Sequence, residues 1–288
     1  MIEKPLFKTA VIIGVGLIGG SIARVLKNRG VAKRVIGVGR SEANLKAALD
    51  LGIIDAALPA AEAVKEADFI VLCVPVLSII PTLEAIAPHI KNGALVSDGG
   101  STKKEIVERG EKIADGRFVF IGSHPVAGTE KSGAASSFET LFDNHLCIIT
   151  PTPNTPAEPL EKLTAFWHAA GMKTVRMDPS RHDTVMGAVS HLPHLVAFAL
   201  TNTVSQFDEG ENLLGFAAGG FRDTTRIASS PPDMWADIAL ANRAEMMKMS
   251  ATMRKNLAAI ESAIQSGDRE ALMRMFKQAN EFREKLKK

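Results

Sequence analysis

The sequence predicts an α/β protein in which a doubly wound, mainly parallel sheet is followed by an all-helical domain. From residue 7 to about residue 178, short apolar segments alternate with helix-like segments. Such alternation, with strands apolar on both faces, predicts parallel strands covered by helices. After Pro179 the strand-like composition stops, and long segments with apolar residues at spacings of three and four follow. The predicted domains are therefore residues 1–178 and 179–288.

The elements of the first domain follow from composition. Strand-like segments are FKTAVIIG, RVIGVG, DFIVLCVP, ALVSDGG, RFVFIGS, HLCIIT and MKTVRM. Helix-like segments between them are SIARVLKNRG, SEANLKAALDLG, LSIIPTLEAIAPHI, STKKEIVERGEKIA and PAEPLEKLTAFWHAAG.

Bulk composition indicates a small-molecule ligand. The net charge is +2 over 288 residues, so no strong field attracts nucleic acid or anionic lipid, and neither is expected as a partner. Cys73 and Cys147 lie in apolar segments, without the spacing of a disulfide framework or a metal site, and are predicted to be buried and reduced. Without a leader or an apolar run long enough to span a membrane, the chain is expected in the cytoplasm.

The glycine-rich stretch VIIGVGLIGGSI carries the first functional signal. Gly14, Gly16 and Gly19 stand between a strand-like and a helix-like segment, which is the context of a dinucleotide-binding Rossmann-type domain. Gly14 allows the tight turn, Gly16 leaves room for the pyrophosphate, and Gly19 lets helix and strand pack closely. Leu17 and Ile18 open the helix, whose N-terminus favours phosphate.

The end of the second strand bears on the choice of cofactor. Positions 38 to 41 hold no carboxylate to accept from a ribose 2′-hydroxyl, whereas Arg40, followed by Ser41, suits a 2′-phosphate. The sequence therefore favours NADP over NAD, the alternative being that Arg40 is a solvated loop residue. Val74 and Pro75, at the end of DFIVLCVP, are expected on the nicotinamide side or as ordinary strand-end packing.

Two further strand ends carry groups suited to proton transfer. Ser101 follows ALVSDGG and is expected either to cap the next helix, as could Thr102, or to direct its hydroxyl at the cofactor cleft. His124 is placed just past the end of RFVFIGS and is the best candidate base among the histidines. The chain contains no Tyr, which excludes dehydrogenase chemistry of the Tyr-x-x-x-Lys type.

The helical part contains a histidine pair and two arginines. His191 and His194 share a helix face, near Pro193, which would start or kink the helix. They are substrate contacts, core residues or metal ligands, and no metal is expected because no third ligand accompanies them. Arg222 and Arg226 could bind a carboxylate or form surface ion pairs.

Together these motifs resemble the prephenate/arogenate dehydrogenases of tyrosine biosynthesis. The resemblance rests on GVGLIGGS, D-x-G-S at 98–101, SHPVAGTEKSG at 123–133, VSHLPH at 189–194, and FRDTTRIA with a later MW at 221–235. It implies oxidative decarboxylation: hydride passes from C4 of a cyclohexadienol ring to NAD(P)⁺ and the ring carboxylate leaves as CO₂. Prephenate would give 4-hydroxyphenylpyruvate and arogenate would give tyrosine.

The resemblance also implies roles for individual residues. His124 would be the base on the C4 hydroxyl, Ser101 would share a hydrogen bond with that hydroxyl, and Arg226 would hold a substrate carboxylate. His191, His194, Thr129 and Glu130 would be further substrate contacts. The C-terminal helices would form a homodimer.

Two other functions compete with this interpretation. β-Hydroxyacid dehydrogenases and imine reductases combine similar domains, but they typically use a Lys at the start of the helical half, where this chain has SRHDTVMGAVSHLPH. A non-catalytic NADP-binding protein would need only the glycine loop.

Overall fold

The computed structural model describes residues 4–129, 131–207 and 213–287. Its contacts separate two compact units, Met1–Asn242 and Arg243–Lys288, and each is described by itself. The predicted division between residues 178 and 179 stays a prediction.

One sheet organises the first unit, with strand order β3-β2-β1-β4-β5-β6-β7-β8. The strands are β1 (Phe7–Ile13), β2 (Ala32–Val38), β3 (Ala56–Ala57), β4 (Phe69–Leu72), β5 (Leu95–Asp98), β6 (Val119–Val126), β7 (Leu146–Thr150) and β8 (Lys173–Arg176). Neighbouring strands pair in parallel, except that β6 and β7 are antiparallel. The strand order reverses between β1 and β4, which is where sheets of this kind bind their ligands.

Helices connect the strands and form the C-terminal part. Between the strands lie α1 (Leu17–Asn28), α2 (Glu42–Asp50), α3 (Ala60–Ala63), α4 (Ile79–Ile86), α5 (Lys104–Ala114) and α6 (Ala157–Ala169). After β8 come α7 (Pro179–Met186), a π-helical segment (Gly187–His191), α8 (Leu192–Ser205), α9 (Gly219–Thr225) and α10 (Pro232–Ala241). The second unit contains α11 (Arg243–Ser266) and α12 (Arg269–Glu284).

The core has one hydrophobic cluster on each face of the sheet. Successive β1 side chains alternate between them, with Ala10 and Ile12 in one cluster and Val11 and Ile13 in the other. A sheet buried on both faces explains the apolar strands, and the predicted fold class is confirmed.

The stretch Pro179–Ser205 is, among the described helices, the one long and apolar enough to cross a membrane by length and composition. Core helices of water-soluble proteins have the same length and composition.

Candidate active site

The glycine loop has the geometry that a dinucleotide requires. Gly14 has φ +96°, and a Cβ there would lie 2.4 Å from the Cys73 carbonyl oxygen. A Cβ on Gly19 would lie 2.1 Å from the Gly14 oxygen, whereas nothing stands within 4 Å of a Cβ on Gly16. Gly16 is also the N-cap of α1 and offers no side-chain acceptor. The first N–H groups of α1, from Leu17 and Ile18 onward, therefore lack a side-chain cap and suit a pyrophosphate.

The segment after β2 contains the residues predicted to select the cofactor. Arg40 is exposed and forms no ion pair or side-chain hydrogen bond among the described residues. Ser41 is the N-cap of α2, and its hydroxyl accepts from the Asn44 N–H at 3.2 Å. The Asn44 side chain donates to the Val15 carbonyl at 2.7 Å and accepts from the Ala134 N–H at 2.9 Å. Asn44 thus ties the glycine loop to the segment after β6, a role that the sequence did not indicate.

Three parts of the sheet edge converge around Gly99. A Cβ built on Gly99 would lie 3.6 Å from Ile18 Cγ2, 3.8 Å from Cys73 Sγ and 4.0 Å from Pro125 Cδ. The glycine loop, the end of β4 and the strand bearing His124 therefore meet at the β5–α5 loop. Val74 is half-buried and Pro75 is exposed just after β4, and their predicted contact with nicotinamide remains a prediction.

Ser101 does not cap α5. The helix begins at Lys104, with Lys103 at the N-cap position, and no side chain of the preceding loop caps it. Instead the Asp183 carboxylate accepts from the Lys103 and Lys104 N–H groups at 2.7 and 3.0 Å. A carboxylate from α7 thus replaces the predicted Ser or Thr cap. The Ser101 side chain is half-buried, and its hydroxyl forms no hydrogen bond with the described residues.

A fully buried ion pair lies beneath this loop. Lys103 Nζ contacts Asp98 Oδ2, and neither side chain is exposed. Asp98 also accepts from the Gly100 N–H at 2.8 Å and from the Ser123 N–H at 3.4 Å. These bonds fix the loop before Ser101 to the strand that carries His124.

His124 lies within β6, not past its end as predicted. The reason is that β6 continues to Val126 through antiparallel pairing with β7, which places His124 opposite Ile148. The side chain is buried, and its Nδ1 lies 2.9 Å from His182 Nε2. His182 Nδ1 in turn lies 2.8 Å from Asp183 Oδ1. Burial, assisted by His182 and the Lys103 charge, lowers the pKa of His124 well below its ordinary value, so that its neutral form predominates.

His191 and His194 occupy different environments despite their spacing. His191 ends the π-helical segment, is buried, and has Nδ1 3.1 Å from Asn242 Nδ2 and an Nε2 atom without a partner. His194 Nδ1 bonds to the Ser190 carbonyl at 2.9 Å, and its ring stacks on Trp235 with centroids 3.5 Å apart. No group of three or more potential metal ligands occurs among the described residues.

The remaining substrate candidates are exposed or undescribed. Arg226 is exposed, and its charge contributes to lowering the pKa of His194, after burial as the main cause. Arg222 donates instead to the Ala217 carbonyl at 3.0 Å. Thr129 is exposed and accepts from the Lys131 N–H at 3.2 Å. Glu130 lies outside the described residues.

Comparison with known proteins decides the family. Residues 22–176 match the nucleotide-binding domain of prephenate dehydrogenase, and residues 178–278 match its dimerization domain. The chain belongs to the prephenate dehydrogenase family. The matched region begins inside α1 and does not include the glycine loop. The assignment of that loop as a dinucleotide-binding loop therefore rests on its geometry alone.

Individual members of the prephenate dehydrogenase family resemble the chain over most of their length. A prephenate dehydrogenase from Bacillus subtilis is 39% identical, covering 96% of this chain and 76% of the relative. A cyclohexadienyl dehydrogenase from Zymomonas mobilis is 34% identical, covering 98% and 97%. The crystal structure of prephenate dehydrogenase from Aquifex aeolicus, in complex with hydroxyphenyl propionate and NAD⁺, is 35% identical, with TM-score 0.90 and coverage of 97% and 98%.

Sequence reasoning missed several residues of this prephenate dehydrogenase-family site. Among them are His182, Asp183, Asn242 and Lys103, to which the sequence assigned no role. Cys147 is buried and free as predicted, whereas free Cys73 is only half-buried. Although part of the residue is exposed, burial of the Cys73 thiol, aided by the Asp98 charge, raises the pKa of that thiol.

Acid is expected to destabilise the fold through His191. Burial lowers the pKa of His191 from 6.5 to about 4, so the neutral ring stabilises the fold fully above pH 6.5. This contribution is lost as pH falls from 6.5 to about 4 and amounts to about 3 kcal/mol. The replacement His191→Asn, whose oxygen can still accept from Asn242, should flatten this part of the pH dependence. Urea unfolding of both proteins across that pH range measures the difference, and parallel curves would contradict the assignment.

Proposed function

We propose that this chain catalyses the NAD(P)-dependent oxidative decarboxylation of prephenate to 4-hydroxyphenylpyruvate, with conversion of arogenate to tyrosine as the alternative. The carrying observation is the buried, neutral imidazole of His124 on β6, next to the β5–α5 loop that also contacts the glycine loop. A bound nicotinamide nucleotide supplies the hydride acceptor. The Gly14–Gly19 loop and the open N-terminus of α1 would hold its pyrophosphate.

The chain's own residues then account for the proton and the charges. His124 takes the proton of the C4 hydroxyl as hydride leaves C4, and the ring carboxylate departs as CO₂, leaving its electron pair in the aromatic ring. Ser101 shares a hydrogen bond with the same hydroxyl. Arg226 holds a substrate carboxylate. His191, His194, Thr129 and Glu130 are further substrate contacts. An exposed guanidinium suits a dianionic substrate.

A two-by-two assay tests the function. Prephenate and arogenate are each offered with NAD⁺ and NADP⁺, and formation of reduced nicotinamide is followed by absorbance. Turnover of at least one combination, with release of CO₂, is expected. Cofactor binding without turnover of either substrate would instead support a non-catalytic NADP-binding protein.

We further propose that NADP is preferred over NAD because of Arg40. Its free guanidinium can form charge-assisted hydrogen bonds to a 2′-phosphate, which are worth about 1.5–3 kcal/mol. Arg40→Ala is therefore expected to raise KM for NADP about 10- to 100-fold and to leave KM for NAD nearly unchanged. Arg34→Ala is the matched control, because Arg34 also lies on the surface at β2 but pairs with Glu66 at 3.0 Å. An unchanged KM for NADP in the Arg40 variant would refute the assignment. Ser41 is a proposed additional contact.

The active form is proposed to be a homodimer. Large apolar side chains of the helices after β8 are exposed in the single chain, among them Val189, Phe216 and Leu240. Such exposure is unusual for a monomer and typical of a protein interface. Sedimentation at micromolar concentration should give twice the mass of the chain, and a monomer would exclude the dimer. The free thiols suit the proposed cytoplasmic location.

A further inference from the structure

Three side chains form a hydrogen-bonded series that ends at His124. Asp183 Oδ1 lies 2.8 Å from His182 Nδ1, and His182 Nε2 lies 2.9 Å from His124 Nδ1. The His182 side chain is fully buried, and those of Asp183 and His124 are nearly so. Their hydrogen bonds to one another therefore lie away from bulk water.

The donors and acceptors of this series have only one consistent arrangement when both rings are neutral. Burial is the main cause that lowers the pKa of His182 and of His124, so both are neutral near pH 7. Both Asp183 carboxylate oxygens already accept from backbone N–H groups, so Asp183 Oδ1 is an acceptor and His182 must carry its proton on Nδ1. His182 Nε2 is then an acceptor, which requires His124 to carry its proton on Nδ1. The lone pair of His124 is left on Nε2, which has no hydrogen-bond partner among the described residues.

Asp183 is itself held in place from the opposite side. Its two carboxylate oxygens accept from the Lys103 and Lys104 N–H groups at the start of α5, and its carbonyl oxygen accepts from Asn242 Nδ2 at 2.9 Å. The carboxylate thereby satisfies two N–H groups that the helix itself leaves without acceptors. Because the loop containing Ser101 leads directly into α5, the same carboxylate fixes the positions of both groups proposed to contact the C4 hydroxyl.

We propose that His182 and Asp183 are positioning residues that hold His124 in the tautomer whose Nε2 accepts the substrate proton. This inference rests on the proposed function for its catalytic consequence, but the tautomer itself is a property of the protein alone. As His124 gains a proton on Nε2, the Asp183 carboxylate stabilises the resulting positive charge through His182. The two residues thus act through His124 and do not contact the substrate.

Two substitutions at His182 separate this role from a merely structural one. His182→Gln can place an amide oxygen where Nε2 was, so that His124 Nδ1 still donates. His182→Leu fills similar space without an acceptor. The Leu variant is expected to lower kcat at least ~10-fold, with little change in cofactor KM. The largest possible loss is the whole contribution of a general base, which is ~10²–10⁴-fold. The Gln variant should lose clearly less kcat than the Leu variant, because it keeps the hydrogen bond from His124 Nδ1 although it loses the link to Asp183.

Nitrogen NMR of protein labelled at histidine gives a readout independent of activity. The His124 signal, identified by its loss in His124→Asn, should show the proton on Nδ1 in wild type and in His182→Gln, and mixed protonation in His182→Leu. His168→Gln is the control, because His168 is exposed on α6 and should change neither kcat nor the His124 signal.

The outcomes distinguish this inference from the proposed function. Without turnover of either substrate by wild-type enzyme, the proposed function fails while the NMR result still tests the tautomer. If wild type is active and His124→Asn is impaired, but His182→Leu has wild-type kcat, the positioning role is wrong. A wild-type His124 protonated on Nε2 would refute it even if the Leu variant does not fold.

Discussion

Replacing His124 by Asn is expected to lower kcat by ~10²–10⁴-fold with little change in cofactor affinity. The imidazole is the one group on β6 that can take a proton at neutral pH. Its pKa is held low by burial, with His182 and Lys103 adding to the effect, so the neutral base is present without prior deprotonation. Asn keeps a polar side chain of smaller volume but has no comparable basicity. Steady-state kinetics with saturating cofactor measure the loss.

Arg226→Ala provides the contrasting variant for this prediction. Arg226 is exposed and proposed to bind a substrate carboxylate, so its loss should appear mainly as a raised substrate KM. Near-normal turnover in His124→Asn would overturn the role of the base. If kcat fell by the same factor in both variants, the result would instead indicate that the folded site is lost in both.

The pH dependence of kcat/KM checks the same base independently. Because the pKa of His124 in the free protein lies well below 6.5, the acid limb attributable to it should also lie below pH 6.5. Activity should therefore be insensitive to this group above that pH.

The fold and the sheet-edge residues could be predicted because they depend on local patterns. Apolar strand segments, the glycine loop and the position of His124 near a sheet edge are all visible within a few consecutive residues. Even there, the predicted end of β6 was wrong. The strand's length is set by pairing with its antiparallel partner β7, which is separated from it by a long connection. The two-residue β3 is too short to leave a pattern.

The residues around His124 could not be predicted because their partners are distant in sequence. His182 and Asp183 are neighbours on a helix, and neighbouring helical side chains point in different directions. The sequence around them therefore gives no sign that Asp183 contacts His182 or that His182 contacts His124. Nothing in the local sequence indicates that Lys103 is buried. Its side chain is nevertheless fully buried and paired with Asp98. The π-helical segment likewise changes the direction of His191 relative to a regular helix.

Two substitutions in the glycine loop are expected to have large but different effects. Gly19→Ala should destabilise the fold, and Gly16→Ala should weaken cofactor binding. Gly19→Ala places a Cβ 2.1 Å from the Gly14 carbonyl oxygen and 2.9 Å from Ile12 Cγ2. The first contact is with backbone, which cannot rotate away, so the free energy of unfolding should fall by about 3 kcal/mol or more. Gly16→Ala meets nothing within 4 Å, and its φ of −94° is accessible to Ala.

The Gly16 variant should therefore keep its free energy of unfolding within about 0.5 kcal/mol of the wild-type value. It should nevertheless raise the cofactor KM at least ~10-fold, because its methyl group would occupy the space of the pyrophosphate. Urea unfolding without cofactor measures the stability of each variant. Titration of the folded protein with cofactor then measures binding separately. The comparison is decisive because both substitutions add one methyl group to the same loop. If Gly16→Ala bound cofactor normally, the open space at Gly16 would not be the phosphate site, and the N-terminus of α1 would lose its proposed role even though the fold around Gly19 was correct.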